Sequence, residues 1–198
     1  ASLPAKGKEE DFCDMGLLPK KGVRENIFNR EMEIPTATTL LAWSGTADYT
    51  LKNKLAYSIA SQVIDIVLTE EIREKEGGTY GVSVSAQFNN VPQPNVLFEI
   101  YYQTDPEKYT YLNEKIVEVM NDFAKNGPSS DNLSKVKEYM IKKYQEGLRE
   151  NSYYEGAMTE YFRNGMDKVT DYEKVLDSLA AEEVRTIFAQ LLKQNNRA

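Results

Sequence analysis

The sequence predicts an α+β domain in which helices gather on one side of an antiparallel, or mixed, sheet. Two neighbouring runs alternate apolar and polar residues with period two, a broad apolar stripe at four-residue spacing precedes them, and nearly everything after residue 105 has helical periodicity.

Residues 1 to about 25 mix Pro4, Gly7, Gly16, Pro19 and Gly22 with scattered charges, the pattern of a connector or an edge element rather than of a core. From Asn26 to Ser44 the β-branched and aromatic content of "NIFNREMEIPTATTLLAWS" predicts a strand pair or one long bent strand, interrupted at Pro35. The Asp48 to Thr50 region can cap a helix. That helix carries Leu51, Leu55, Ile59, Val63 and Val67 on one stripe, widened by Ile64, Ile66 and Leu68, and runs to about Glu74 or Lys75 before Gly77 and Gly78.

Val82, Val84, Ala86 and Phe88 then alternate with Ser83, Ser85, Gln87 and Asn89, which predicts a half-buried strand. After the turn-forming "NNVPQP", Val96, Phe98, Ile100 and Tyr102 share a face, so the two runs form an antiparallel hairpin. Asp105-Pro106 opens a helix with Leu112, Ile116, Val119, Met120 and Phe123 in register, and Gly127-Pro128 stops it. Ser129 or Ser130 caps the next helix, built on Leu133, Val136, Met140, Tyr144 and Leu148, and further helical patterns fill 153–165 and about 171–194. Thirteen tyrosines are many, but Tyr109, Tyr144 and Tyr161 fall on helical stripes where the rim of a core is expected.

Composition narrows the function classes. With 24 basic and 31 acidic residues the formal charge is −7, and no basic cluster stands apart from neighbouring acids, which argues against nucleic acid as a partner. No window reaches the roughly 18 uninterrupted apolar residues that a membrane helix needs. Cys13 is the single cysteine and cannot form an internal disulfide. Histidine is absent, so Ser-His-Asp and Cys-His catalysis and histidine-bearing zinc sites are excluded within these residues. Adjacent carboxylate pairs such as Glu70-Glu71 and Glu182-Glu183 diverge by about 100° on a helix and read as solvated surface. "EGGTYG" follows a helix and lacks the lysine of a phosphate loop.

The remaining candidate is "REKEGGTY", where Arg73 and Tyr80 bracket the double glycine. A structural explanation is sufficient on its face: Arg73 complements the dipole at the helix end, Gly77-Gly78 caps the helix and Tyr80 starts a strand toward the core. A functional one is also available. A sharp bend brings both side chains toward one point, where a guanidinium and a phenol of ordinary pKa about 10 can grip a carbonyl oxygen or developing oxyanion. Neither group activates water, so such a pair assists acyl chemistry without performing it.

"EEIREKEGGTYGVSVS" resembles the segment that marks the non-catalytic, C-terminal-type domain of the insulinase-like (pitrilysin-type, M16) zinc metallopeptidases, the group that includes the mitochondrial processing peptidase. "MEIPTATTLLAWSG" is similar to the family's opening strand, "YYQTDPEK" to its strand exit, "NGPSSDNLSKVKEYM" to its next helix and "SLAAEEVRTIFAQLL" to its closing helix, so the resemblance covers about residues 24–194. It implies a linker and tail of a preceding domain over 1–23 and an inactive peptidase domain over 24–198. In the family, one domain carries His-x-x-Glu-His on its first long helix; here that helix reads "TLKNKLAYSIASQVIDIVL" without histidine, so the chain is not catalytic by itself.

What the resemblance implies is a clamp. Homologous domains close around an extended peptide, zinc sits in a partner domain on the same or another chain, and the opposing domain offers an arginine and, seven positions on, a tyrosine that bind the substrate backbone; Arg73 and Tyr80 have that spacing. Gly77, Gly78 and Gly81 then become turn and close-approach glycines. The rivals are a structural or assembly subunit of the same fold, and a stand-alone peptide-binding module using a sheet edge. The chain begins at Ala1 rather than methionine and is read as a piece of a longer polypeptide; a bacterial periplasmic or envelope setting is the expectation.

Overall fold

The alternating runs form the centre of the protein. The computed structural model describes residues 21–75 and 79–198, without the side chains of Glu74, Lys75 and Tyr80. Its sheet has three strands in the order β1-β3-β2, β1 being Ala37–Thr46, β2 Thr79–Asn89 and β3 Asn95–Thr104, with both pairings antiparallel. β3 is the central strand, and its Val96, Phe98, Ile100 and Tyr102 are all 0% exposed. On the edge strand β2, Val82, Val84, Ala86 and Phe88 are only half-buried, as an edge position with one covered face dictates.

The covered face lies under helices. α1 (Leu51–Leu68), α2 (Tyr109–Asn126) and α6 (Ala181–Lys193) contribute Leu55, Ile59, Val63, Ile116, Met120, Val184 and Phe188 to one continuous core. Phe188 anchors it, meeting Phe98 of β3 and Phe123 of α2 edge-to-face at centroid distances of 5.3 and 5.0 Å. The opposite face of the sheet is open, with Leu40 of β1 54% and its cross-strand partner Tyr101 of β3 43% exposed. α3 (Ser130–Gly147), α4 (Asn151–Asn164) and α5 (Tyr172–Ser178) complete the helical layer.

Caps form where the sequence signals them. The Thr50 side chain accepts from Asn53 N at 3.2 Å at the start of α1, and Ser129 accepts from Asn132 N at 3.2 Å at the start of α3. Gly127 ends α2 with φ +74°, a left-handed conformation, and a Cβ there would also lie 3.1 Å from the Arg185 Cβ.

Three expectations need correction. Only Ala37–Thr46 of the 26–44 stretch becomes a strand; Pro35 offers no N–H to a ladder, and Ile27, Phe28, Met32 and Ile34 remain exposed. The helical pattern over 171–194 is two helices, because the backbone turns extended at Leu179 and Ala180. This buries the Leu179 side chain completely, and the Glu183 carboxylate accepts from Ala180 N at 3.1 Å to start α6. Tyr161 is 54% exposed on α4 rather than at a core rim. Tyr144 does sit at a rim, stacked 4.3 Å from Tyr172 and donating to Val169 O at 2.7 Å.

Candidate functional site

Arg73 belongs to a segment in which the backbone changes pitch. α1 does not simply run on to Lys75; from Thr69 it continues as a π-helical stretch, Thr69–Lys75. Such wider turns are common at functional sites. Leu68 and Ile72 are buried at 0% and 1% exposure and pin the stretch to the core, so Arg73, the next residue, projects outward. No described residue pairs with its guanidinium.

Tyr80 lies near the start of β2, at a feature that period-two reading does not anticipate. Thr79 pairs with Thr104 and Val82 with Tyr102, so Tyr80 and Gly81 together face the single residue Gln103. This two-against-one arrangement is a β-bulge, a device that bends a strand and re-aims side chains. Thr79 secures it: its hydroxyl donates to Gln103 O at 2.5 Å and accepts from Gly81 N at 3.2 Å. In the sequence Gly81 lies just before the alternating run that begins at Val82, a place for a turn or close-approach glycine, and the structure puts it inside the strand. Gly81 thus sits in the bulge, and a Cβ built on it would meet nothing within 4 Å. The turn glycines Gly77 and Gly78, the Tyr80 side chain, Cys13 and residues 1–20 of the expected linker lie outside what is described.

Among the described residues, Arg73 lines neither of two sizeable cavities. One, of about 430 Å³, lies between the end of α1, α2 and the start of α3, with Glu71, Lys115, Asp122 and Ser129 in its walls. The other, of about 980 Å³, lies along the free edge of β1.

A polar cluster joins the start of α1 to α4. The Glu160 carboxylate accepts from the Tyr49 hydroxyl and from Asn164 Nδ2 at 2.9 Å, with Lys54 Nζ 3.8 Å away. Burial works against this carboxylate, but those hydrogen bonds and the charges on Lys54 and Lys168 outweigh it and hold its pKa below the usual value. Burial and this same carboxylate push the Tyr49 phenol far up. The Tyr49 ring stacks on Phe88 at 5.0 Å, so the cluster reads as a tie between elements.

A resident zinc does not fit these residues. There is no histidine, and among the described residues no group of three or more Cys, Asp or Glu is placed to hold a metal ion. No helix among the described residues is long and apolar enough to cross a membrane.

Against known proteins, the family model described as "Peptidase M16 inactive domain" matches residues 3–140. No curated relative matches. Among solved structures, the chain is similar to the periplasmic protease PqqL from Escherichia coli, at 18% identity and a TM-score of 0.76 over 87% of this chain and 19% of that one. It is similar to a protease from Helicobacter pylori at 16% identity and TM-score 0.75, covering 89% of this chain and 43% of that one. A peptidase M16 inactive domain from Pseudomonas fluorescens follows at 21% identity and TM-score 0.64, covering 83% and 40%. These likenesses establish the shared fold, and the chain spans less than half the length of each of the three.

Proposed function

The chain belongs to the M16 peptidase family, matching its inactive domain, and on that premise we propose that it is the substrate-clamping, non-catalytic part of a zinc-dependent insulinase-like endopeptidase. Arg73 and Tyr80 bind the backbone of an extended peptide near the scissile bond, orient it and donate to its carbonyl oxygen as negative charge develops there. Zinc and its ligands come from a homologous domain outside these residues, on the same polypeptide or another.

The observation that supports this most is the pairing of a π-helical stretch with a facing β-bulge, one bearing Arg73 and the other Tyr80. Both are local departures from regular geometry, and the covalent path between them is only seven residues. Arg73 is exposed, and the open space over Gly81 leaves room for an approaching backbone. A guanidinium exposed without a described partner keeps its donors for a ligand.

One observation favours the rival reading, a structural or assembly subunit: Arg73 lines neither of the two cavities along β1 and beside α2. The two are separated by combining this chain with a zinc-bearing catalytic domain of its parent and assaying cleavage of an unstructured peptide. The clamp reading expects cleavage that depends on this chain and falls on Arg73→Ala. A subunit needed only for folding would restore the same activity with or without Arg73.

A further inference from the structure

The cavity of about 430 Å³ is lined by no strand residue and lies where the end of α1, α2 and the start of α3 meet. Val63, Ile64 and Val67 of α1 form one wall, which Glu71 and Ile72 of the π-helical stretch prolong. Lys115, Glu118, Val119, Asp122 and Phe123, at three- and four-residue steps along α2, form the other. Gly127, with φ +74°, and the buried Pro128 carry the chain across one end, where Ser129 and Asn132 begin α3.

Its floor is apolar, made of the half-buried Val67 and Val119 together with Val63, Ile64, Ile72 and Phe123, each at most 5% exposed. Its rim is acidic. Glu71, Glu118 and Asp122 are exposed carboxylates, whereas Lys115 is the one ammonium among the lining residues and already donates to Glu118 Oε2 at 2.9 Å. On a convex helix surface such carboxylates would be solvated charges of little consequence. Here they stand beside a concave apolar surface.

The start of α3 does not reverse that balance. Free N–H groups at a helix N-terminus favour an anion, but Ser129 accepts from Asn132 N at 3.2 Å, Asp131 occupies the first turn, and Pro128 has no N–H to give. The side chains at the rim therefore offer chiefly acceptors.

We infer that this cavity binds a small organic cation, a primary ammonium on an aromatic or branched aliphatic body, and that its occupant braces the π-helical stretch Thr69–Lys75 against α2. The body lies on Val67 and Val119, and the ammonium donates to Glu118 and Asp122, one turn apart on α2. Each carboxylate has acceptor capacity beyond the bonds it makes now, from Lys115 to Glu118 and from Asn126 Nδ2 to Asp122 at 2.6 Å. Cavities of roughly 300–1,000 Å³ are the ones that hold small ligands. An anion of the same shape would meet three carboxylates against one ammonium. Occupation acts on the stretch because Glu71 and Ile72 belong to both the wall and the π-helical turns, so a ligand held between them and α2 favours one pitch over any other. The site rests on the cavity and its charge, independently of the role proposed for Arg73.

The test titrates the chain of residues 1–198 with tryptamine, followed by the methyl NMR shifts of Val67, Ile72 and Val119 and by amide hydrogen exchange over residues 70–73. Indole-3-propionate, of similar shape and opposite charge, and ethanolamine, a cation without the apolar body, are the controls. The expected result is saturable shifts with a Kd below about 1 mM for tryptamine and at least about tenfold weaker binding of both controls. Exchange over residues 70–73 should slow at least about threefold at saturation. Glu118→Gln combined with Asp122→Asn should weaken tryptamine at least about fivefold, with Tm nearly unchanged because both side chains are exposed. Equal affinity for tryptamine and indole-3-propionate, or no saturable shift below about 10 mM, overturns the site. Saturable shifts with unchanged exchange overturn the bracing of the π-helical stretch.

Discussion

Gln194 serves Thr46 as a neighbouring strand residue would: one side-chain amide both donates to the Thr46 carbonyl, at 2.9 Å, and accepts from its N–H, at 2.8 Å. The end of β1 is thereby finished by a side chain where the backbone ladder has run out. Gly45 makes the arrangement possible, since a Cβ there would stand 2.7 Å from the Gln194 amide atoms.

Gln194→Ala is expected to cost about 1–2 kcal/mol, two exposed hydrogen bonds at their ordinary net worth. Gly45→Ala displaces the same amide, so the double variant should lose clearly less than the sum of the two singles. Urea unfolding of the four proteins measures this; strict additivity would show that the glycine and the amide act separately.

Phe188 is the point where β3, α2 and α6 meet, fully buried between Phe98 and Phe123. Phe188→Ala should destabilise by about 3–5 kcal/mol, the range for emptying an aromatic core position. A loss under about 1 kcal/mol in equilibrium unfolding would mean that the helices do not share one core.

Asp65 of α1 accepts from Val84 N at 3.2 Å, closing part of the free edge of β2. Burial raises its carboxyl pKa, and the Val84 hydrogen bond only partly opposes that. With the folded pKa above the unfolded one, the unfolded chain gives up its proton first as pH rises. Asp65 therefore lowers stability across the acidic window between the two values, and the full penalty persists above it. Asp65→Asn keeps an acceptor oxygen for Val84 and removes the charge. It should be more stable than the parent at neutral pH, with the difference shrinking on acidification; a pH-independent difference would contradict this assignment.

Most of the fold was legible because burial imposes periodicity. The central strand and the Leu51-to-Val67 stripe are read directly from spacing, and the caps at Thr50 and Ser129 from residue type. What escaped was local geometry decided by tertiary contact. Nothing in "EVRTIFAQ" or its upstream neighbours announces that Leu179 turns into the core and splits a helix. The strand pattern of 26–34 had the composition for pairing but ends against Pro35. At the candidate site, Gly81 stands just before the run that alternates from Val82, which marks a turn or close-approach glycine but not the two-against-one pairing of the bulge. The change of pitch at Thr69 has no sequence signature that we recognise.

The central claim concerns one hydroxyl and one guanidinium acting on a peptide held by the complete enzyme. Its most direct test is steady-state cleavage of an unstructured peptide by that enzyme carrying Tyr80→Phe, alongside Arg73→Lys, with folding checked by Tm. Loss of a single donor to a developing oxyanion typically costs about 2.7–4 kcal/mol, so kcat should fall about a hundredfold or more at unchanged Tm. Turnover at the parental rate in both variants would show that Arg73 and Tyr80 do not touch the reacting bond.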